Sequence, residues 1–428
     1  MGCRWVLAAL LLCGSFAFAG DETDHEQRLQ DLETENAELR TRLDRIEGAS
    51  AEPSDDDNAA LEEAIDSVLE DEGLGLAIVI RKGSTRGALQ IFGDVGFIYT
   101  DPARDGRGNA SFFNGSLDLF FTARVGDHFH VLSETVFQSK VGSGDADDSS
   151  KFDQERLWGA WAFSDALQIK FGLEHSPISL WNKIYHHGRW LELTVTRPLL
   201  AKFEAGGGIL PMHEAGLAFL GDIQLDRGSV EYAVYISNGR GPEVTDVQEF
   251  SDRNNDKAVT FGAGYHFDSS ESIFLGLFAR RDRIPPNSSD PARTGSIDEW
   301  IVTAQFLLQS DTWDLISEFA YIHDDDRTSD TTFDSYSGYI QAGYHVNDNW
   351  TPYARFDVRE MALGNPYFSP VDRDLDVYEV ILGVRWDFLA NAAWKFELGF
   401  GEREERDAAA AVDTHGYIRF SVQLAWVF

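Results

Sequence analysis

Residues 417–428, YIRFSVQLAWVF, decide the fold. Successive side chains of an extended chain point to opposite sides. Ile418, Phe420, Val422, Leu424, Trp426 and Phe428 therefore share one face, and Tyr417, Arg419, Ser421, Gln423, Ala425 and Val427 the other. One apolar face alone suits a soluble sandwich as well as a membrane wall. The preceding stretches discriminate. Tyr378, Val380, Leu382, Val384, Trp386 and Phe388 alternate with Glu379, Ile381, Gly383, Arg385 and Asp387, and Trp394, Phe396, Leu398 and Phe400 with Lys395, Glu397, Gly399 and Gly401. A sandwich core cannot hold charges that recur on strand after strand. The pattern needs an apolar outside and a wet inside, so an all-β transmembrane antiparallel β-barrel is expected.

Working back from the C-terminus gives about sixteen strands, from 87–100 to 415–428. Tight turns at Gly126-Asp127, Ser164-Asp165, Asp226-Arg227-Gly228, Asp268-Ser269, Ser310-Asp311, Asn347-Asp348 and Leu389-Ala390 alternate with longer polar loops, the asymmetry of outer-membrane barrels. Phe129, Trp313, Trp350 and Trp394 follow these turns and Phe163, Phe267, Trp386 and Phe388 precede them, predicting an aromatic girdle at one interface. The apolar stretch Leu76–Ile80 has no evident partner and leaves the count open by a hairpin.

The 428 residues include 72 acidic and 36 basic side chains, a formal charge of −36. Such a surface repels a phosphate backbone, so nucleic-acid partners are excluded. Aromatics reach 13%, yet mean hydropathy is −0.28, so apolar residues are dispersed. Residues 1–19 read as a secretory signal: Arg4, an apolar core from Trp5 to Phe16, and Ala17-Phe18-Ala19 before the cleavage point. Cys3 and Cys13 both fall inside it, which removes disulfides and thiolate chemistry from the mature chain. Residues 20–47 carry a heptad seam, His25, Leu29, Leu32, Asn36, Leu39, Leu43 and Ile46, predicting a short α-helical coiled coil that self-associates. Residues 48–74, with Pro53 and Asp55-Asp56-Asp57, form an acidic linker with a short helix, and 75–428 form the barrel.

The third long connection, about 175–212, is punctuated by Trp181, Tyr185, Trp190, Leu191, Leu193, Val195, Leu199, Leu200 and Phe203, and is expected to fold against the barrel wall. Sixteen strands, this long third loop and a terminal Phe428 after Trp426 resemble the bacterial outer-membrane porin superfamily, in which those last residues act as an assembly signal. Ser237-Asn238-Gly239-Arg240-Gly241 and Asp252-Arg253-Asn254-Asn255-Asp256-Lys257 resemble the phosphate-selective type. The coiled coil resembles the periplasmic extension of some sugar and dicarboxylate porins. The resemblance implies a water-filled channel for passive diffusion of small hydrophilic solutes or ions, a homotrimer in outer-membrane lipid and lipopolysaccharide, and an N-terminal segment in the periplasm. It also implies a third loop that enters the lumen. The constriction candidates are then Lys183, Tyr185, His186, His187, Arg189, Glu192, Arg197, Lys202 and Glu204.

Lumen-facing Arg355, Arg359, Arg385, Lys395 and Arg419 form a basic column on neighbouring strands. One reading passes anions along it; the other pairs it with Asp357, Glu379, Asp387 and Glu397 to hold the wall rigid. Acids in the outer loops, such as Asp145, Asp147, Asp148 and Asp324 to Asp326, suit solvent or divalent cations bridging lipopolysaccharide, and no other cofactor is expected. A reading from a different class is a structural tether whose coiled coil contacts the cell wall. His175, His186, His187 and His213 cluster with Glu204 and Glu214, but no HExxH spacing occurs and adjacent histidines point apart, so no metal site is expected. Ser176 beside His175 is the nearest candidate for a hydrolase nucleophile, and adjacency says nothing of geometry, so no enzyme is expected.

Overall fold

The computed structural model describes residues 78–428, apart from 83–84, 102–107, 140–149, 187, 205–206, 247–251, 270, 291–292, 369–373 and 407–411. The expected leader, coiled coil and linker (1–19, 20–47 and 48–74) lie outside the described residues, as does His187. The strands are β1 (Ile78–Lys82), β2 (Thr85–Asp101), β3 (Asn109–Val125), β4 (Phe129–Ser139), β5 (Ser150–Ser164), β6 (Leu167–His175), β7 (His213–Leu225), β8 (Gly228–Ser237) and β9 (Ala258–Phe267). They continue as β10 (Ser272–Ile284), β11 (Ile297–Gln309), β12 (Trp313–Asp326), β13 (Thr331–Tyr344), β14 (Trp350–Glu360), β15 (Asp374–Leu389), β16 (Ala392–Arg406) and β17 (Val412–Val427).

From β2 to β17 every strand pairs antiparallel with its sequence neighbours, and β17 pairs back onto β2, closing a sixteen-strand barrel. Closure removes the sheet edges that lipid cannot satisfy. The seam is tied at its end by reciprocal backbone bonds between Ile91 and Phe428, both 2.8 Å. One step further Trp426 lies opposite Gly93, where a Cβ would come within 2.6 Å of the indole; only glycine admits the ring. The apolar stretch without an evident partner finds one here. β1 pairs with Thr85–Leu89, on the edge of β2 that β17 leaves below Phe428, and so adds a short seventeenth strand without altering the barrel.

The two faces of each strand divide as the alternation requires. On β15, Tyr378, Val380, Leu382, Trp386 and Phe388 are exposed on the outside, while inward Glu379 and Ile381 are buried. At the short-turn end Trp350, Trp386 and Trp394 stand side by side across β14, β15 and β16, with the first two rings stacked at 5.3 Å. Trp313 meets Tyr344 at 4.8 Å in the same belt.

The interior has two characters. Inward residues of β10 to β13 include Phe274, Phe278, Ile301, Ile316, Ala320 and Tyr339, which form one apolar cluster. Inward residues of β14 to β17 include Arg355, Asp357, Glu379, Lys395, Glu397 and Gln423, all buried. Leu382 is half exposed in mid-strand on the outer face, opposite Ala354 and Leu398. Leu382→Arg therefore places a charge in hydrocarbon and is expected to destabilise the barrel by about 2–4 kcal/mol, read from denaturant unfolding in lipid vesicles.

Candidate functional site

The site begins where the wall is lowest. β6 has 9 residues against 17 in β2 and β3, so the chain leaves the sheet at His175 and returns at His213, its cross-strand partner. The intervening residues lie inside the ring of strands. Ile178, Leu180, Trp181, Leu200, Ile209 and Leu210 are completely or almost completely buried and belong to the same apolar cluster as Phe274, Phe278, Ile301 and Tyr339. This burial is the reason the segment enters the barrel: exposed, those side chains would forgo about 1.5–3 kcal/mol apiece.

A segment with little secondary structure must find other partners for its amides and carbonyls. Its described residues include a short helix, α1 (Leu180–Tyr185), capped by the Ser179 hydroxyl, and a 3-10 turn at Leu199–Ala201. The wall supplies the rest. The Glu318 carboxylate of β12 accepts the amides of Leu180 (2.6 Å) and Trp181 (2.8 Å) and the hydroxyl of Tyr339 (2.7 Å). Asp118 accepts Gly188 N–H (3.0 Å), Glu397 accepts Val195 N–H (2.9 Å), and Asp357 accepts Leu199 N–H (3.0 Å). Carbonyls meet cations instead. Arg355 donates to Thr196 O (2.6 Å) and Arg197 O (3.2 Å), Arg385 to Trp190 O (2.6 Å) and Glu192 O (3.1 Å), and Lys395 to Thr194 O (3.2 Å) and Arg189 O. Arg359 donates to Gly207 O.

The basic column expected from sequence is thus assembled on the inner wall, with four of its members on the internal segment's backbone. Arg355 also bonds Asp357 (2.7 Å), Arg385 bonds Asp387 (2.7 Å), and Arg419 bonds Glu379 (2.7 Å). Of the constriction candidates, Lys183 pairs with Glu231 of β8, Arg189 with Glu192 (3.0 Å), and Glu204 accepts Met212 N–H (2.9 Å). Lys202 is partly exposed. Burial raises Glu204 above the usual carboxylate range against the pull of His213, and pushes the Tyr185 hydroxyl up to about 12. Arg197 differs from the rest: buried, it lies 4.0 Å over the Phe203 ring, and none of its three nitrogens has a hydrogen-bond partner among the described residues. Burial, with Arg189 nearby, lowers it to about 10. His186 sits beside His175 and His213. Ser176 donates to Glu214 (3.0 Å), which also accepts from Thr260 (2.8 Å) and Arg280 (3.2 Å), so its hydroxyl is held by a carboxylate network.

Cavities flank the segment among the described residues. One of about 230 Å³ is lined by Tyr185, Leu191, Leu193, Asp314, Arg385 and, at a short turn, Asp348. Another, about 570 Å³, runs from Ser164 and Asp165 at another short turn past Lys170 and Lys183.

No family model and no curated protein matches the sequence. Solved structures do match in fold. The outer membrane channel DcaP of Acinetobacter baumannii aligns with a TM-score of 0.55 at 12% identity, over 82% of this chain and 100% of its own. The anion-selective porin from Comamonas acidovorans gives 0.55 at 11% identity, over 80% and 100%. OmpT, an outer membrane protein of Vibrio cholerae, in its trimer form gives 0.50 at 12% identity, over 81% and 100%. The fold is that of the outer-membrane porins.

Within that fold, the residues not flagged by the sequence are the acceptors Glu318 and Asp118 and the donor Gln305, which bonds Pro177 O at 2.9 Å. An apolar loop without helix or strand pattern was the available signal that the wall must offer such groups. Glu318→Ala leaves two buried amides without acceptors, at about 1–3 kcal/mol each. Amide exchange at Leu180 and Trp181 is expected to accelerate at least about tenfold, measured by hydrogen–deuterium exchange.

Proposed function

We propose that the protein is an outer-membrane channel for passive diffusion of small hydrophilic solutes or ions, narrowed by residues 176–212. The observation that carries this reading is the inversion of polarity in a closed barrel. The exterior is apolar, and the charged side chains face an interior whose packed segment is flanked by cavities of about 230 and 570 Å³. In this reading the short turns face the periplasm, together with the N-terminal segment. Three copies assemble in the membrane, for which the trimer form of the Vibrio cholerae neighbour is the support. The acidic outer loops meet lipopolysaccharide through divalent cations. The chain is a conduit and not an enzyme; the engagement of Ser176 by Glu214 favours that choice.

The column Arg355, Arg359, Arg385 and Lys395 is assigned to holding the constriction, because each donates to its backbone. Purified full-length protein is expected to give stepwise conductance in planar bilayers, and a bilayer that stays sealed overturns the proposal. Arg355→Ala is expected to raise single-channel conductance while leaving the reversal potential in a salt gradient unchanged. A shifted reversal potential at unchanged conductance would instead make Arg355 a direct ion contact. Removal of residues 21–58 is expected to leave conductance intact and the outer membrane attached, whereas a tether would release the envelope.

A further inference from the structure

Three imidazoles meet at the point where the internal segment leaves and rejoins the wall. His175 ends β6, His213 begins β7, and the two are direct cross-strand partners. His186 follows α1 and folds back between them, with ring centroids 3.9 Å from His175 and 4.8 Å from His213. One ligand nitrogen from each lies within 4.8 Å of the others. A fourth group comes from β5. The ladder between β4 and β5 skips a residue at Glu155, a bulge that redirects its side chain. Its Oε2 is 3.0 Å from His213 Nε2 and 3.4 Å from His186 Nε2. The side chains of all four are at most 5% exposed.

The surroundings fix the ring that matters most. Asn182 donates its amide hydrogens to Met212 O (2.7 Å) and Ser176 O (3.3 Å), which turns its Oδ1 towards His186 Nδ1. His186 therefore carries its proton on Nδ1 and presents the Nε2 lone pair to the cluster, the arrangement of a metal-ligating histidine with its supporting hydrogen bond. His175 Nε2 stands 3.6 Å from Glu134 Oε2. His213 Nδ1 is buried without a hydrogen-bond partner among the described residues. Around a tetrahedral ion with bonds of about 2.0–2.1 Å, ligand atoms lie about 3.3–3.4 Å apart, close to the spacings at Glu155.

We propose that His175, His186, His213 and Glu155 form a site for a divalent transition cation, zinc foremost, that fastens both ends of the internal segment to the barrel wall. Three imidazoles and one carboxylate suit zinc, cobalt or nickel, whereas calcium and magnesium require oxygen-rich shells. The cavity of about 570 Å³ that begins at the Ser164–Asp165 turn reaches His175 and gives the ion a route. The proposal stands apart from conduction, because the ion would be structural whether or not the barrel passes solutes.

The test uses full-length protein in detergent, stripped with EDTA and titrated with cobalt chloride alone. Expected are about one cobalt per chain and the intense visible bands of four-coordinate Co(II), displaced by zinc. His213→Gln and Glu155→Gln are expected to weaken binding more than about tenfold, and Asn182→Ala, which removes no ligand, about 10–100-fold. Folding of each variant is checked by heat-modifiable gel mobility. If His213→Gln does not fold, Asn182→Ala carries the test. A weak six-coordinate spectrum, no saturable binding, or unchanged affinity in the folded variants overturns the proposal.

Discussion

Every amide and carbonyl of a buried backbone needs a partner, and here that demand falls on a segment with almost no regular structure inside a barrel. The wall answers it with full charges: carboxylates for amides and guanidinium or ammonium groups for carbonyls. Charged acceptors and donors make stronger bonds than neutral ones, and Glu318, Glu397, Asp357, Arg355 and Lys395 are themselves buried, so removing the segment would strand them in turn. Wall and segment are therefore mutually required. The apolar half of the interior adds the driving force, and the charged half sets the path of the chain.

This division explains how a chain of net charge −36 tolerates a cluster of buried cations. Arg355 and Arg385 each face a carboxylate on their own strand, Asp357 and Asp387, and Arg419 of β17 reaches Glu379 of β15 across β16, so each cation meets a carboxylate as well as the segment. Arg280 of β10 likewise lies among Glu214 of β7, Asp282 of its own strand and Glu299 of β11. Much of the net acidity lies outside the barrel, in residues 20–74, which hold 20 acids and 4 bases.

The strands were legible because a period of two leaves no freedom: a slip by one residue would turn Phe420 and Leu424 inward and Arg419 outward. The apolar content of residues 175–212 predicted packing against the wall, while their entry into the lumen was an implication of the resemblance. Their partners were not legible, since Leu180 and Glu318 are 138 positions apart and no local pattern links them. The meeting of the histidines was hidden for a different reason. The adjacency of His186 and His187 carries no geometry, whereas His175 and His213 close a long loop and so face each other as cross-strand partners. Glu155 depends on a bulge, which alternation cannot reveal.

The seam between β17 and β2 has a consequence for the order of events in folding. It joins, for example, Asp94 to Gln423, 329 residues apart. Synthesis delivers β2 first among the barrel strands and its partner last, so most of one edge of β2 waits, unpaired, for the whole chain. β1 shields only Thr85–Leu89 of that edge. Until Phe428 arrives no arrangement of the earlier strands can hide the remainder, and barrel closure is a single late step of high contact order. A chain that ends early is left with a long adhesive edge.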